Sequence, residues 1–518
     1  MTNDLAHSVG IDLGTTFSVI AHLDAAGRPR TILNAEGEPT TPSVVLFDQA
    51  AVVVGKEAVR AGILEPERVA EFAKRDMGCD AYSKLINGEH FPPEVIQSLV
   101  LEKLKRDAQE KIGPFRKAVI TVPAYFNEPR RKATQDAGHL AGIEVLDIIN
   151  EPTAAAIDFG FEQGFLNAEG GAQNPETILV YDLGGGTFDV TVMTIAGTRY
   201  TALATGGDVY LGGVDWNQRL VDFVAEEFKS KYRFDPKTNP VAQQRLMQAA
   251  EDTKRALSAR EQATILFEHG GQVLKTVVGR NDFENLTSDL LERTRLTVRN
   301  VLRDAKLTWS DVTRLMVVGG STRMPMVQQM LEEESGRKVD RTLSADEAVA
   351  HGAAIYAGLV QNAGKIADNP VTVKNVNSHD LGVLGIETAT GRPRTRVMIP
   401  RNSVLPAKKA ALFKTHRANQ SSVAVRIVEG GDATGQNSTS IGTCTVRELP
   451  PNLPAGTSVE VSLEYAQNGR LTVKARLPSV NRAAKLSLER TSGMAETALH
   501  DWSNRLKQLR PTNVDEVS

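Results

Sequence analysis

The stretch VYDLGGGTFDVTV (residues 180–192) places three consecutive glycines between two apolar, β-branched runs, with an aspartate on each side. Glycine loses more backbone freedom on folding than any other residue, so a run of three is costly inside regular structure. Such a run indicates that another group approaches the backbone closely, or that the chain turns where a side chain would clash. Taken alone, the stretch also fits an ordinary hairpin turn.

A second stretch, VGIDLGTTFSVI (residues 9–20), repeats the pattern about 170 residues earlier. Both read as an apolar strand, Asp-Leu-Gly, one or two small residues, Thr-Phe and a second strand. Two matching hairpins predict a duplicated domain whose halves face each other across a cleft.

The repeated turns have the composition of paired phosphate-binding loops. Backbone N–H groups in a turn rich in Gly and Thr can bind an anion where no Cβ blocks the approach. Asp12 and Asp182 stand where each strand enters its loop. The pair is predicted to hold a hydrated Mg²⁺, which keeps several waters and few direct carboxylates, although a single such Asp would more simply cap a turn. The predicted phosphate-binding residues are Gly14, Thr15, Thr16, Gly184, Gly185, Gly186 and Thr187.

Length, charge and cysteine content narrow the class of protein. The 518 residues are enough for several domains. A net charge of −3 gives no electrostatic reason to expect nucleic acid or an anionic membrane as a partner. Two distant cysteines exclude a disulfide framework and suit a reducing compartment. With no recognisable signal peptide and no apolar run of about 18 residues, we expect a cytoplasmic protein.

The chain changes character near residue 360. Before it, β-branched runs such as 118–124 and 314–320 alternate with helical stretches, which predicts α/β layers. Residues 361–377 are polar and loosely patterned and read as a linker. Short alternating strands follow, as in an antiparallel β-sandwich. The last helix is predicted to carry its apolar residues on one face. These residues are Met494, Ala498, Leu499, Trp502, Leu506 and Leu509.

Six motifs, taken in order, resemble the nucleotide-binding domain of the DnaK-type (seventy-kilodalton heat-shock) chaperones. They are IDLGTTFSV, VPAYFNEPRRKAT, INEPTAAAIDFG, DLGGGTFDVTV, VGGSTRMP and ADEAVAHGAAI. The resemblance covers roughly residues 8–500 and is densest in the first part. It implies an actin-like, two-lobed ATPase domain, an antiparallel β-sandwich that binds peptides, and a short C-terminal helix. The implied boundaries are 1–362, linker 363–377, sandwich 378–490, and helix with tail 491–518.

The resemblance also implies roles for residues around the phosphates of ATP or ADP. Asp12 and Asp182 would organise Mg²⁺, and Glu151 would position water and the metal, mostly through water. Lys74 matches a lysine that orients the attacking water, and this assignment depends wholly on the resemblance. Asp189 matches a further acid near the metal.

Two further motifs match the adenosine clamp of the family. EDTKRALS places its polar residues at i, i+3, i+4 and i+7, on one helical face that could equally be a solvated surface. These residues are Glu251, Lys254, Arg255 and Ser258. GGSTR supplies a strand-to-helix turn suited to close approach of a nucleoside. The resemblance adds Gly319, Gly320, Ser321, Arg323 and Asp346 to the nucleotide site.

Three departures from the family affect its partners. The chain shows one helix where relatives continue into a helical lid, so we expect fast peptide exchange. VTVKNV (371–376) replaces a nearly unbroken Leu/Val linker, so we expect weaker or different docking on the ATPase domain. Asp147 stands where the family carries an arginine used by J-domain cochaperones, which argues against an ordinary J-domain partner. A nucleotide exchange factor stays among the partners that the resemblance admits.

The peptide groove is a fourth departure. Its apolar candidates could equally be sandwich core; they are Ile386, Phe413, Val423 and Val425. Ala389 and His416 occupy the positions that arch over the peptide. Arg470 occupies a position that is usually apolar, where a cation reduces apolar burial unless it extends to water or pairs.

The leading hypothesis is therefore an ATP-hydrolysing chaperone that binds extended, unfolded peptides under control of slow hydrolysis. A rival hypothesis is a regulatory or scaffolding nucleotide-binding protein that holds one dedicated protein partner. A sugar kinase or cytoskeletal relative is disfavoured by the clamp helix and the sandwich. The chain has neither a P-loop motif nor a kinase-type lysine after a glycine-rich loop.

Overall fold

Two α/β lobes are built around the two glycine-bearing hairpins, and a β-rich domain follows them. The computed structural model describes residues 8–48, 51–166, 175–361, 365–366, 369–387, 390–466, 471–488 and 494–509.

The first lobe extends from the N-terminal hairpin to the helix that follows INEP. Its strands are β1 (Ser8–Asp12), β2 (Phe17–Leu23), β3 (Pro29–Thr31), β4 (Thr41–Pro42), β5 (Val45–Phe47), β6 (Val52–Val54), β7 (Val69–Ala70), β8 (Lys117–Val122) and β9 (Glu144–Asn150). Its helices are α1 (Lys56–Gly62), α2 (Pro93–Ile112), α3 (Glu128–Leu140) and α4 (Glu151–Glu162).

The second lobe is larger and holds the second hairpin. Its strands are β10 (Glu176–Leu183), β11 (Phe188–Ala196), β12 (Arg199–Asp208), β13 (Gln262–His269), β14 (Gln272–Gly279) and β15 (Arg314–Val318). Its helices are α5 (Gly213–Tyr232), α6 (Pro240–Ala259), α7 (Arg280–Leu286), α8 (Ser288–Asp304) and α9 (Pro325–Ser335); α10 (Ala348–Gln361) follows and packs against α4 and β1.

Short strands and the β domain complete the described chain. They are β16 (Lys365–Ile366), β17 (Asn369–Pro370), β18 (Thr372–Lys374), β19 (Leu381–Ile386), β20 (Pro393–Ile399), β21 (Ala407–Lys414), β22 (Val423–Glu429), β23 (Thr439–Val446), β24 (Ser458–Tyr465), β25 (Leu471–Leu477) and β26 (Arg482–Leu488). Helix α11 (Glu496–Leu509) comes last.

The two lobes share a core of four strands in the same order, as a duplication predicts, and each sheet adds one strand at a different edge. In the first sheet, the order is β3-β2-β1-β8-β9, with β1 antiparallel to β2 and parallel to β8. In the second, the order is β15-β10-β11-β12-β18, with β10 antiparallel to β11 and parallel to β15. Each glycine-bearing turn therefore lies at the same end of an equivalent hairpin. Apolar side chains on both faces bury these central strands, as expected when helices cover a sheet on both sides.

The β domain is a sandwich of two antiparallel sheets. One has the order β20-β19-β22-β23 and the other β21-β24-β25-β26. Alternate residues of β24 point into the core between the sheets, which Val459, Val461 and Leu463 fill. This alternation is the period-2 pattern predicted from the sequence.

The linker segment adds a short strand to the second lobe. Strand β18 lies parallel to β12, and the Thr372 N–H donates to the Thr198 carbonyl oxygen at 2.9 Å. Val373 points into the protein, whereas Lys374 is exposed. Asn375 accepts a hydrogen bond from Thr153 of α4 at 3.1 Å. The polar residues of this segment are therefore either exposed or hydrogen-bonded, and the expectation of weaker docking stays a prediction.

Helix α11 packs on the first lobe. Leu506 is buried there, and the Trp502 ring lies 5.5 Å from the ring of Phe91. Met494 and Leu499 pack against the same core. The predicted apolar face thus packs against the first lobe, and the side chain of Leu509 lies outside the described residues.

Candidate functional site

The two glycine-bearing loops face each other directly across the cleft. A Cβ added at Gly185 would lie 2.3 Å from Thr16 Oγ1, and one added at Gly186 would lie 2.3 Å from Thr15 Cγ2. Both distances are far below van der Waals contact. The group that approaches these glycines is therefore the opposite loop, which brings the hydroxyls of both loops to one place.

Each hairpin presents an aspartate at the end of its first strand. Asp12 pairs in register with Val19, and Asp182 pairs with Asp189. The second turn is closed by the Gly184 N–H, which donates to the Thr187 carbonyl oxygen at 3.0 Å. The turns thus fix the two carboxylates on facing edges of the cleft.

Lys74 and Glu151 form a buried ion pair in the floor of the cleft. Lys74 lies in a short 3₁₀ turn (Ala73–Asp76), and Glu151 is the first residue of α4, directly after β9. Lys74 Nζ and Glu151 Oε1 are 2.6 Å apart, with side-chain exposures of 4% and 7%. Burial alone would lower the pKa of Lys74, but Glu151 and Asp12 hold that pKa above its ordinary value. The lysine is therefore charged and fixed in position.

Buried carboxylates outnumber the cations at this place. Burial, reinforced by Glu151, raises the pKa of Asp12 to about 7 and that of Asp189 to about 8. Burial and the neighbouring carboxylates raise the pKa of Asp182 well above its usual range. Lys74 is the cation that these carboxyl groups share, and a divalent cation would favour their ionised forms and neutralise the charge that then develops.

Two neighbours that the sequence did not single out orient these carboxylates. The Thr121 hydroxyl donates to Asp12 Oδ1 at 3.1 Å, and the Tyr125 N–H donates to Asp189 Oδ1 at 2.9 Å. Thr121 lies near the end of strand β8, which adjoins β1, and Tyr125 follows that strand. Their position at the carboxyl end of a strand next to the first hairpin is the signal that could have found them.

The predicted clamp residues lie together on α6. Glu251 Oε2 is 2.8 Å from Lys254 Nζ, and Glu251 Oε1 is 2.7 Å from Arg255 Nε. Although burial opposes it, Lys254 and an amide hydrogen bond from Asn217 lower the pKa of Glu251 to about 2. Ser258 donates to the Lys254 carbonyl oxygen at 3.1 Å. The face is thus an ordered ion-pair network rather than independent solvated side chains.

This network reaches across the cleft. The Arg255 guanidinium lies 5.6 Å from the centre of the Phe17 ring, which belongs to the first loop. Lys254 Nζ donates to the Gly213 carbonyl oxygen at 3.0 Å. A Cβ on Gly213 would lie 2.5 Å from Ser321 Oγ, so this glycine also permits a close approach. Gly213 and Asn217 were missed in the sequence, where the pair of glycines opening a helix (LGGVDW) is the available signal.

The GGSTR turn adjoins the second phosphate loop. Ser321 donates to the Gly184 carbonyl oxygen at 2.9 Å, and Arg323 pairs with Asp346 at 2.6 Å. Gly319 adopts φ +85°, and a Cβ there would lie 2.5 Å from the Leu183 carbonyl oxygen. Gly320 begins the 3₁₀ turn that follows.

Asp147 lies away from the cleft, on β9. Its Oδ2 accepts a hydrogen bond from the Tyr356 hydroxyl of α10 at 3.0 Å. Asp147, which stands where the resemblance expects an arginine, is therefore hydrogen-bonded to a neighbouring helix.

The predicted peptide-binding residues are distributed over one end of the sandwich. Ile386 is 51% exposed at the end of β19, Phe413 and Val423 are half-buried, and Val425 is buried in the core. His416 is exposed in the turn after β21. Ala389 and Arg470 lie outside the described residues.

Neither a direct metal cluster nor a membrane-spanning helix occurs within the described ranges. In them, no group of three or more His, Cys, Asp or Glu side chains is arranged to ligate a metal directly. Across the same ranges, none of the helices combines the length and apolarity required to cross a bilayer.

The two-lobed fold, its opposed loops and the following sandwich define the class: an actin-like ATPase domain joined to a β-sandwich domain. The family model described as "Hsp70 protein" matches residues 8–511. The chain is 40% identical to the chaperone protein DnaK of one Thermus thermophilus strain, over 95% of this chain and 82% of that protein. It is also 40% identical to the chaperone protein DnaK of Thermosipho africanus, over 92% of this chain and 79% of that protein. The chain belongs to the Hsp70 family.

Family membership confirms the resemblance, the fold class and the predicted activity. Hsp70 proteins are ATP-binding, ATP-hydrolysing molecular chaperones. Nothing in the comparisons favours the rival scaffolding hypothesis.

Proposed function

We propose that this chain hydrolyses ATP between its two lobes and thereby controls the binding of extended, unfolded peptides by its sandwich. The observation that carries the proposal is the pair of opposed loops, with the buried ion pair of Lys74 and Glu151 beneath them. Phosphoryl transfer to water requires mainly positioning and neutralisation of charge. A cleft with fixed donors, fixed carboxylates and one buried lysine supplies those conditions.

The residues present fit a hydrated Mg²⁺ ion. Burial, and after it the neighbouring carboxylates, raises the pKa values of Asp12, Asp182 and Asp189, and Lys74 opposes the rise only in part. Asp12, Asp182 and Glu151 would hold the ion mostly through water, as Mg²⁺ prefers. When bound, the ion would neutralise charge on the phosphates.

Lys74 is proposed to hold the attacking water. Its ammonium already donates to Glu151, and it has two further N–H groups for a water or phosphate oxygen. Thr15, Thr16 and Thr187 would donate to the phosphates alongside the loop N–H groups. These roles fit slow hydrolysis, because the chain supplies orientation rather than a covalent nucleophile.

The clamp on α6 is proposed to hold adenosine. Glu251 and Lys254 would reach the ribose, and the planar guanidinium of Arg255 would stack on the adenine. The turn at Gly319–Arg323 would close the other side of the nucleoside. Because Arg255 also contacts Phe17 of the first lobe, nucleotide binding would favour the closed cleft.

Contacts between the domains are proposed to couple the two sites. Strand β18 extends the sheet of the second lobe, and Arg401 of the sandwich pairs with Asp304 of α8 at 2.6 Å. ATP and peptide would then affect each other's binding reciprocally, typically by about 1–3 kcal/mol. We infer a cytoplasmic location from the cysteine usage and the bacterial relatives.

The decisive experiment measures steady-state ATP turnover by the full chain with and without a panel of unfolded peptides. Stimulation by many unrelated peptides is the expected result. Flat rates, together with tight binding of one native protein, would instead support the scaffolding hypothesis.

A J-domain protein is tested in the same assay. No stimulation is expected, because Asp147 is held by Tyr356 and reverses the charge of the family's arginine. Asp147→Arg is the matched variant, and a gain of stimulation in it alone would link the effect to this position.

A further inference from the structure

The sandwich carries a strong positive charge that the rest of the chain does not share. Residues 378–490 contain 16 Lys and Arg against 8 Asp and Glu, although the whole chain has a net charge of −3. The remainder of the chain is therefore clearly acidic. The cations are concentrated in the domain that is proposed to bind peptide.

Several of these cations border the proposed peptide site. Arg392 directly precedes β20, whereas Arg394 and Arg396 lie within it. Lys414 ends β21, and Arg417 lies in the turn after it. Two segments, 386–397 and 412–423, contain these five cations but only one acidic residue, Glu387. Glu387 is already engaged, since it pairs with Arg394.

The two segments meet at Arg396. Its guanidinium lies 5.3 Å from the centre of the Phe413 ring and donates to the Leu412 carbonyl oxygen at 2.9 Å. The remaining N–H groups of this exposed side chain can donate to another acceptor. A cation is thereby fixed beside an aromatic residue predicted to contact peptide.

Of the five bordering cations, only Arg394 has a carboxylate partner among the described residues. In the part of the chain that is described, no carboxylate lies within ion-pair distance of Arg392, Arg396, Lys414 or Arg417. Each of these side chains is exposed. An uncompensated cluster of this kind produces a positive potential that attracts an anionic partner and opposes a cationic one.

Apolar surface lies between the cations. Leu412, Ile386 and Val397 are 63%, 51% and 44% exposed, whereas large apolar side chains of a domain are usually buried. A peptide that complements both the cations and the apolar surface presents apolar side chains flanked by carboxylates. Single-stranded nucleic acid fits less well, because its bases require exposed aromatic faces and Phe413 is half-buried and covered by Arg396.

We infer that the groove selects extended peptides in which a short apolar segment is flanked by Asp or Glu, and that it discriminates against the same segment flanked by Lys or Arg. The inference rests on the proposed peptide-binding function and adds the substrate class. Arg396, Lys414 and Arg417 are the residues assigned to the discrimination.

The test uses three labelled peptides with one apolar core and acidic, uncharged or basic flanks. Their Kd for the full chain with ADP is measured by fluorescence anisotropy at about 50 mM and about 300 mM salt. The acidic peptide should bind at least about tenfold more tightly than the basic one at low salt, with a smaller ratio at high salt because exposed charges are screened.

Charge-reversal variants connect the effect to the groove. The double variant Lys414→Glu, Arg417→Glu should lose or invert the preference while still binding the uncharged peptide. The control double variant Lys474→Glu, Lys485→Glu changes the net charge equally on neighbouring strands of the second sheet, where both lysines are exposed, and should retain the preference.

The remaining outcomes distinguish a failure of the inferred charge preference from a failure of the proposed peptide binding. Equal Kd values for all three peptides, an unchanged preference in the groove variant, or displacement of the acidic peptide by single-stranded RNA at equal concentration would overturn the inference. If none of the peptides binds or stimulates turnover, the proposed peptide-binding function itself fails.

Discussion

At the scale of single residues, the buried pair of Lys74 and Glu151 concentrates the chemistry of the cleft. Removing one partner of a buried ion pair leaves an uncompensated charge, which usually costs about 3–5 kcal/mol. Lys74 is a cation close to Asp12 and Asp189 and stabilises their ionised forms. The lysine therefore has both an electrostatic and a positioning role.

Lys74→Ala should reduce ATP turnover by about 100-fold or more, which is typical for loss of a fixed charged donor at a reacting centre. Nucleotide affinity should persist, because the clamp on α6 is independent of this lysine. Turnover and nucleotide Kd are measured on the same preparation, and the exposed Lys111→Ala is the control. Normal turnover in Lys74→Ala would rule out the assigned role.

Gly185→Val should weaken nucleotide binding by about tenfold or more, since displacement of a binding loop by about 1 Å is sufficient for such losses. The first added carbon would lie 2.3 Å from Thr16 Oγ1, so the loops must separate. Calorimetric titration with ADP measures the effect. Gly385→Ala, whose added carbon meets no neighbour, is the control, and unaltered affinity in Gly185→Val would contradict the loop contact.

Residue patterns predicted the two loops, because an Asp-Leu-Gly turn between strands that occurs twice indicates a paired site rather than two unrelated turns. The same patterns missed Thr121, Tyr125 and Asn217. These residues act through contacts between segments far apart in sequence, so the signals beside them, a strand end and a pair of glycines, do not show which distant group each one contacts. The role of Lys74 could be predicted only through the family resemblance, because an isolated lysine usually lies on the surface.

At the scale of secondary-structure elements, β18 shows how tertiary contacts override local composition. The composition of residues 361–377 predicts a loosely patterned linker, yet Thr372–Lys374 form a strand on the edge of β12. Strand formation depends strongly on the neighbouring surface, and here an open sheet edge pairs with the linker backbone. Only one side chain, Val373, needs to be apolar for this contact, so the pattern is too short to recognise in the sequence.

Val373→Asp should uncouple the sandwich from nucleotide turnover, because a carboxylate at this buried position is costly. Basal turnover should stay near normal, whereas stimulation by unfolded peptides should be largely lost. The exposed Lys374→Ala, on the same strand, is the matched control. Full stimulation in Val373→Asp would show that β18 does not transmit the effect.

At the scale of the whole molecule, a pair of carboxylates lies where the sandwich meets the first lobe. The Glu128 N–H donates to Glu429 Oε2 at 3.0 Å, and the Tyr465 hydroxyl donates to the Glu128 carboxylate. Burial, reinforced by Glu128, raises the pKa of Glu429 to about 8, while Arg131 opposes the rise. The docked arrangement therefore holds a proton that a solvated glutamate, with a pKa of about 4.3, would release at neutral pH.

Docking of the sandwich should consequently weaken as pH rises from about 6 to about 8. The docked state binds the extra proton, so docking loses up to about tenfold per pH unit until the raised pKa is passed. Energy transfer between dyes on the sandwich and the first lobe measures the docked fraction. Glu429→Gln should remove this dependence and favour docking at neutral pH, whereas the exposed Glu464→Gln should not. An identical pH profile in Glu429→Gln would assign the effect elsewhere.

The fold class and its two lobes could be predicted from alternation and repetition, but the placement of α11 could not. Its apolar face was visible in the sequence, whereas its partner surface, which includes Phe91, is assembled from distant segments.

That placement gives the sandwich an attachment at each end. Strand β18 fixes one end to the second lobe, and α11 fixes the other to the first lobe through Leu506. The direct contacts Glu128–Glu429 and Arg401–Asp304 also connect the sandwich to the two lobes, so the lobes and the sandwich form a closed loop. Opening the cleft therefore has to strain or break contacts that hold the sandwich to one of the lobes.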